Sequence, residues 1–185
     1  MQARASRAMQ CRVLDIFAGS GCIGIAVLKH IPWAKVDFAE KEKRFLKQIE
    51  INAKLNGIAS NRYRLIQSDV FSNVKGEYDY ILANPPYVAE ERKVRVQKSV
   101  LENEPKGAVF GGRDGLQYIR PFFRQAKHYL KESGSIWMEF DSSQKCAIEN
   151  IVKEYGYEHW SFGEDQYNKW RYVSATFLTI VRKVV

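Results

Sequence analysis

Cysteine, histidine and long apolar runs are all scarce in this sequence. The three cysteines, Cys11, Cys22 and Cys146, form no Cys-x-x-Cys pair and have no cluster of histidines beside them. Neither a disulfide framework nor a zinc site is therefore indicated, and we expect no metal and a reducing compartment. Charged residues interrupt every hydrophobic stretch before it reaches the roughly 20 residues that a membrane-spanning helix needs. The sequence predicts a soluble protein without membrane association.

The sequence has fewer acidic residues than basic ones. The chain has 29 Lys and Arg against 21 Asp and Glu, which gives a formal net charge of +8. Such an excess favours an acidic partner, such as nucleic acid or a ribosome-associated protein. Because the positive residues form no long block, an ordinary basic surface explains the charge equally well.

The length of 185 residues suits one domain with a sizeable core and is too short for two. We therefore predict an N-terminal tail, residues 1–11, and a single domain, residues 12–185, that acts as a monomer. The segment Met1–Arg12 carries three arginines and no acidic residue. This composition is loosely typical of an organellar targeting tail, and equally of a disordered terminus.

Short apolar segments alternate with amphipathic ones along most of the chain. This alternation predicts an α/β, doubly wound and mostly parallel sheet. Five predicted strands precede the last predicted helix: Arg12–Ile16, Lys35–Glu40, Tyr63–Gln67, Tyr78–Ala83 and Ser135–Phe140. Two more close the sheet as an antiparallel pair, Glu158–Phe162 and Tyr172–Val181, which makes seven strands with an antiparallel C-terminal strand.

Four helices are predicted between these strands: Cys22–His30, Glu42–Leu55, Gln117–Leu130 and Lys145–Tyr155. The segment Val88–Asp114 has no regular pattern. Long loops in compact domains are usually functional or mobile, so we expect this one to form a wall or lid over the reacting group.

The first motif is a glycine-rich turn between a strand and a helix. Its glycines follow the spacing Gly-x-Gly-x-x-Gly, which also occurs in dinucleotide-binding loops and in turns that only connect two elements. The carboxylate of Asp15 would repel a pyrophosphate but attract the positively charged aminoacyl end of S-adenosylmethionine. We therefore predict a loop that binds this cofactor through Asp15, Phe17, Gly19, Gly21 and Cys22.

Two further acids follow the next predicted strands. Glu40, with Lys41 beside it, ends the second strand, where a carboxylate can accept both ribose hydroxyls. Asp69 follows the third strand and could accept the adenine amino group, while Val70 and Phe38 supply apolar faces. A solvated strand-end glutamate and a turn-forming aspartate are the alternatives.

The sharpest motif is Asn84-Pro85-Pro86-Tyr87, at the carboxyl end of the fourth predicted strand, where ligands of open α/β sheets bind. The prolines fix the backbone and donate no hydrogen bonds. A planar amide or aromatic amino nitrogen is a poor nucleophile, and two acceptors on its N–H groups can orient it. We predict that Asn84 and the Pro85 carbonyl are these acceptors and that Tyr87 packs on the substrate. An ordinary turn with a surface tyrosine is the alternative.

Together these motifs resemble the class I, Rossmann-like methyltransferases, and among them the HemK/PrmC family of peptide chain release factor glutamine methyltransferases. The most specific feature is Glu104–Leu116, which is similar to that family's Glu-Pro and Gly-Gly-x-Asp-Gly-Leu signature after Asn-Pro-Pro-Tyr. The resemblance implies S-adenosylmethionine as cofactor and a catalytic role for Asn84–Tyr87, with Glu104 beside the substrate. The implied substrate is the glutamine of the Gly-Gly-Gln motif in a class 1 release factor, the protein partner in translation termination.

The sequence departs from this family in two places. Family members usually carry a helical domain before the catalytic domain, and we find neither that domain nor its connecting segment here. The segment Asp165–Arg171 replaces the usual bacterial ending. Together with the basic opening it favours a mitochondrial member, so we expect the cytoplasm or the mitochondrial matrix.

Two other functions remain open at this point. Adenine N6 and guanine N2 methyltransferases also use an Asn/Asp-Pro-Pro-aromatic tetrapeptide on a planar nitrogen, and the basic charge fits them. DNA enzymes of this kind usually add a recognition domain to flip the base, for which this chain has little room. A non-catalytic module that binds S-adenosylmethionine is the other alternative.

Overall fold

The computed structural model describes residues 10–91 and 106–177 of the chain. Seven strands form one sheet: β1 Cys11–Ile16, β2 Ala34–Glu40, β3 Tyr63–Gln67, β4 Tyr78–Ala83, β5 Leu130–Glu139, β6 His159–Glu164 and β7 Trp170–Thr176. The helices are α1 Cys22–His30, α2 Lys43–Leu55, α3 Lys106–Val109, α4 Ile119–Ala126 and α5 Lys145–Glu154.

The strands lie in the order β3-β2-β1-β4-β5-β7-β6. The pairs from β3 to β5 are parallel, and β7 is antiparallel to both of its neighbours. The predicted doubly wound sheet with an antiparallel C-terminal strand is thus confirmed. Strand β2 is buried at every position except Lys35, as expected of a central parallel strand covered on both faces.

Helices cover the two faces of the sheet with separate apolar clusters. One cluster joins Val13, Val36 and Phe38 to residues of α1 and α2. The larger cluster lies on the other face and contains Phe122 and Phe123 of α4. Full burial of each such aromatic side chain contributes about 2–3 kcal/mol, so the two clusters hold the sheet rigid beneath the loops that follow the strands.

The structure corrects several sequence boundaries. The helix predicted over Gln117–Leu130 ends at Ala126, a short 3₁₀ turn follows at Lys127–Tyr129, and Leu130 already belongs to β5. The polar residues at the start of β5 belong to a bulge, because the strand pairing shifts between Tyr78 and Tyr80 of β4. Their polarity concealed the strand from sequence analysis.

The segment predicted as irregular, Val88–Asp114, is partly ordered. It contains α3 and a parallel bridge between Val88 and Phe110, whereas residues 92–105 lie outside the described part. The last predicted strand, Tyr172–Val181, begins at Trp170 instead, and its residues 178–181 are likewise outside the described part. Within the described ranges, no helix combines the length and apolarity that crossing a bilayer requires.

Candidate active site

The predicted site residues in the described part of the chain follow the carboxyl ends of four adjacent strands, β3, β2, β1 and β4. Strand β1 lies between β2 and β4, and the strand order reverses at this point, with later strands added on the β4 side. Ligands of open α/β sheets bind in the crevice at such a reversal. The ends of β1, β2 and β4 place the glycine-rich loop, Glu40 and Asn84 around the same crevice.

The glycine-rich loop has positive φ angles, and the helix that follows it packs closely on β2. Gly19 and Gly21 have positive φ angles of 52° and 78°, which glycine adopts without strain, and α1 begins directly after them at Cys22. A Cβ on Gly24 would lie only 2.3 Å from a ring carbon of Phe38. Phe38 is fully buried in the core, so the prediction that it supplies an apolar face to the cofactor is wrong. Phe17 also has a positive φ, 59°, although it is not glycine. Backbone strain of this kind is concentrated at functional sites.

Asp15 lies beneath this loop rather than on its surface. Its side chain is buried, and its Oδ2 accepts a hydrogen bond of 2.8 Å from the Gly24 N–H. Burial raises the pKa of Asp15 to about 7, against the lowering effect of that hydrogen bond, and the nearby Glu40 raises it further. The carboxyl group therefore titrates near neutral pH, and a positively charged ligand group beside it would favour the ionised form.

Glu40 fixes the other side of the loop. Its Oε2 accepts a hydrogen bond of 2.9 Å from the Gly19 N–H, and its Oε1 accepts one of 2.9 Å from the Glu42 N–H. A carboxylate offers about four acceptor positions, so two remain for the hydroxyl groups of a ribose. Glu40 is only 9% exposed and is hydrogen-bonded to the loop, so it is not the solvated strand-end glutamate of the alternative interpretation.

Lys41 and Asp69 pair with each other at the rim. Their Nζ and Oδ2 atoms are 2.8 Å apart, and both side chains are more than half exposed. The hydrogen bond to Asp69 raises the pKa of Lys41. Next to this pair, Val70 has a φ of 51°, which is an outlier for a β-branched residue. Sequence analysis assigned each of these residues to the cofactor but did not foresee the ion pair.

The Asn-Pro-Pro-Tyr segment directly follows β4. Its first residue, Asn84, is exposed, and its last residue, Tyr87, is fixed by a hydrogen bond. The side chain of Asn84 is exposed, and within the described residues it makes no hydrogen bond. The hydroxyl of Tyr87 donates a hydrogen bond of 2.8 Å to Glu139 Oε1 of β5. Burial, the Glu139 charge and this bond raise the pKa of Tyr87, so the phenol stays protonated. The tyrosine is therefore held in place by β5.

The signature segment after α3 packs directly on this tetrapeptide. A Cβ on Gly111 would lie 2.4 Å from the Pro86 carbonyl oxygen, and a Cβ on Gly115 would lie 2.3 Å from that of Tyr87. Only glycine permits so close an approach between two backbones. The Gly111 N–H also donates to the Val88 carbonyl at 2.9 Å. The backbone at Gly111 and at Gly115 thus packs against the carbonyl groups of the tetrapeptide and fixes its position. Glu104 lies outside the described residues.

Gln144 is a site residue that sequence analysis missed. It is 7% exposed, and its Nε2 donates to the carbonyl oxygens of Tyr87 at 3.0 Å and Gly115 at 3.1 Å. Its Oε1 accepts from the Asp141 N–H at 3.1 Å, which completes a capping box. The Asp-x-x-Gln spacing indicates such a box. The contact with Tyr87 is not predictable from the local sequence, because the two residues are far apart in the chain.

No group of three or more His, Cys, Asp and Glu side chains comes together to hold a metal ion within residues 10–91 and 106–177. The polar groups of the crevice are carboxylates, an amide and backbone groups. This set suits an organic ligand with hydroxyl and amino groups.

Comparison with known families identifies the fold and the chemistry. The methyltransferase small domain family matches residues 2–113, which is more than half of the chain. The chain belongs to this family. Members with this fold use S-adenosylmethionine as methyl donor, and the hydrogen-bonding capacity left on Glu40 and the buried carboxyl of Asp15 fit that cofactor.

Two relatives of this methyltransferase domain are named as release factor glutamine methyltransferases, the family that the signature segment resembles. A release factor glutamine methyltransferase of Streptococcus pneumoniae is 35% identical over 143 residues, 77% of this chain and 50% of that protein. Another, of Thermodesulfovibrio yellowstonii, is 33% identical over 147 residues, 79% of this chain and 52% of that protein. The resemblance is confirmed, and the chain spans about half the length of these relatives.

A solved structure supports the fold alone. A ribosomal protein L11 methylase from Lactobacillus delbrueckii subsp. bulgaricus superposes with a TM-score of 0.66 at 20% identity, covering 94% of this chain and 72% of that one. The predicted class I methyltransferase fold is confirmed.

Proposed function

We propose that this domain methylates the side-chain amide nitrogen of a glutamine in a protein, and that the protein is a class 1 peptide chain release factor. The observation that carries the proposal is the packing of Gly111 and Gly115 on the Asn84–Tyr87 segment. That contact gives the release factor signature a physical role in shaping the acceptor site. The names of the two relatives support the same substrate.

The acceptor side of the reaction follows from the chemistry of an amide. The nitrogen is planar because its lone pair is delocalised, so it attacks poorly unless its N–H groups are held and its geometry is distorted. Asn84 is exposed at the crevice, and its Oδ1 can accept one of these N–H groups while the Pro85 carbonyl accepts the other. Tyr87, fixed by Glu139, then provides a rigid flat surface beside the amide.

The donor side uses the carboxylates of the first two strands. Glu40 would bind the ribose hydroxyls. Asp15 lies beneath the loop, and its charge would stabilise the positively charged amino end of the cofactor. The loop residues that would contact the cofactor are Phe17, Gly19, Gly21 and Cys22. When bound, S-adenosylmethionine supplies an electrophilic methyl group. Asp69 Oδ1 is not used by the ion pair with Lys41 and could accept the adenine amino group beside Val70, and the pair can also open to admit it. An exposed pair such as this one resists separation by only about 0–1 kcal/mol.

A transfer assay with three possible acceptors tests the proposal. Purified protein is incubated with methyl-labelled S-adenosylmethionine and a folded class 1 release factor, total RNA or DNA. We expect label in the release factor, and its loss when the Gly-Gly-Gln glutamine is replaced by alanine. Label in RNA or DNA, with none in the release factor, would establish a nucleic-acid amino methyltransferase instead.

The variant Asn84→Ala separates acceptor chemistry from cofactor binding. Removal of one positioned acceptor should lower kcat by roughly 100-fold, because such groups are typically worth about 10²–10³ in rate. Cofactor affinity, measured by calorimetry, should change far less. An equal loss of cofactor binding would place Asn84 on the donor side and contradict its proposed role.

A further inference from the structure

A polar cavity lies at the amino ends of the parallel strands, on the side of the sheet opposite to the crevice. It has a volume of about 330 Å³ and is lined by the first residues of β1, β2 and β3, including Arg12, Lys35 and Arg64. The crevice described above lies at the other ends of these strands. A ligand in this cavity therefore would not compete with the methyl acceptor.

The strand register collects the basic residues on one face. Arg12 of β1 is paired with Lys35 of β2, and Asp37 of β2 is paired with Arg64 of β3. Lys35 and Asp37 are two residues apart and so point to the same side of the sheet. All four side chains consequently belong to the same face, and Arg62, just before β3, adds a fifth charge to the lining.

A buried carboxylate holds two of the guanidinium groups in place. Asp37 is 5% exposed and accepts hydrogen bonds from Arg12 at 3.1 Å, from Arg64 Nε at 2.8 Å and from the hydroxyl of Tyr78 at 2.8 Å. Burial alone would raise the pKa of Asp37, but the hydrogen bonds from Arg64, Tyr78 and Arg12 outweigh it and lower the pKa. Asp37 stays ionised, and the two arginines are oriented before any ligand binds.

Positive charge remains in excess after this pairing. Arg62 donates hydrogen bonds to the backbone carbonyls of Leu28, Ile31 and Ala34, which carry no formal charge. Lys35 is exposed and has no ion pair among the described residues. The lining thus contains one carboxylate, that of Asp37, and has a formal charge of +3, because it also contains four cations: Arg12, Lys35, Arg62 and Arg64.

We propose that this cavity binds the phosphate groups of a nucleic-acid backbone, as a docking site separate from the catalytic crevice. Guanidinium groups held in a fixed orientation suit the geometry of phosphate oxygens and lose little freedom on binding. The chain's net charge of +8 attracts a polyanion from a distance. Nucleic acid is then a bound partner and not the methyl acceptor.

A pair of charge reversals at two exposed lysines tests this docking site. Lys35→Glu changes the cavity, whereas Lys47→Glu on α2 changes the net charge by the same amount away from it. Lys35→Arg keeps the charge and serves as a rescue. Each variant is titrated with a fluorescently labelled RNA oligonucleotide at several salt concentrations, and with inorganic phosphate by calorimetry. Thermal unfolding checks that each variant is folded.

We expect Lys35→Glu to weaken RNA binding about tenfold or more and to reduce the slope of log affinity against log salt by about one to two. Lys47→Glu should change the affinity less than about threefold, and Lys35→Arg should retain it. Equal losses in both reversals, or no loss in either, would overturn the proposal. Inorganic phosphate bound as tightly as RNA would also overturn it, because the backbone would then contribute nothing. The readout is binding, so the result is independent of which molecule is methylated.

Discussion

Alanine at Gly115 should reduce catalysis far more than alanine at Gly156. The two glycines have almost the same positive φ angle, 76° and 77°. Each alanine therefore carries the same cost of about 1–2 kcal/mol for a left-handed residue with a side chain. A Cβ at Gly115 would lie 2.3 Å from the Tyr87 carbonyl oxygen and 2.6 Å from Gln144 Nε2, whereas at Gly156 it meets nothing within 4 Å.

The close contact sets the size of the effect. Carbon atoms in ordinary contact lie about 3.5–4.0 Å from their neighbours, so the Tyr87 backbone must move by about 1 Å to admit the methyl group. A displacement of about 1 Å at a reacting centre can reduce the rate by roughly 100-fold. We expect Gly115→Ala to lower kcat by that order and Gly156→Ala to change kcat less than about twofold.

The assay combines kinetics with stability. Initial rates of methyl transfer to the release factor are measured at a temperature where denaturation curves show both variants folded, and calorimetry gives the cofactor affinity. Equal kcat values for the two variants would refute the argument that the signature glycines shape the acceptor site. A large loss of cofactor affinity in Gly115→Ala alone would place the damage on the donor side.

Three further sets of variants, at Gln144, at Asp15 and at the Tyr87–Glu139 pair, probe the contacts beneath the site. Gln144→Ala removes two hydrogen bonds to backbone carbonyls and should lower kcat more than cofactor affinity, with a stability loss of about 1–3 kcal/mol in urea denaturation; Gln144→Glu, which lacks the donor, should behave no better. Folded Asp15 keeps its proton up to a pKa of about 7, whereas the unfolded chain loses it near 3.9, so the free energy of unfolding should fall as pH rises between these values. Asp15→Asn should remove this contribution, and the difference between the two stability profiles should approach a slope of about 1.4 kcal/mol per pH unit; parallel profiles would contradict the raised pKa. Tyr87→Phe combined with Glu139→Ala, which removes the acceptor, should give a coupling free energy of about 1 kcal/mol in a double-mutant cycle, and a value near zero would show that the hydrogen bond does not hold the ring.

Sequence patterns predicted the fold, and they selected candidate site residues that the fold brings together, because both follow from local chemistry. The alternation of buried strands and helices is sufficient to place the ends of β1, β2 and β4 together, and with them Asp15, Glu40 and Asn84. The start of β5 was not predictable, because its bulge allows polar residues where a regular strand would be apolar.

Contacts between distant segments account for what the sequence did not reveal. Gln144 reaches Tyr87 across 57 positions, and neither residue type indicates the other. The ion pair between Lys41 and Asp69 depends on two separate loops meeting at the rim. The role of Gly111 and Gly115 is a close approach between backbones, which spacing alone cannot show.

Mapping the modified atom tests the central claim most directly. The release factor is methylated by the purified domain, digested and examined by tandem mass spectrometry. The account predicts one methyl group on the side-chain amide nitrogen of the Gly-Gly-Gln glutamine, present with the unchanged protein and strongly reduced with Asn84→Ala. A methyl group on lysine, arginine or the peptide backbone, or an unmodified release factor beside methylated RNA, would contradict it.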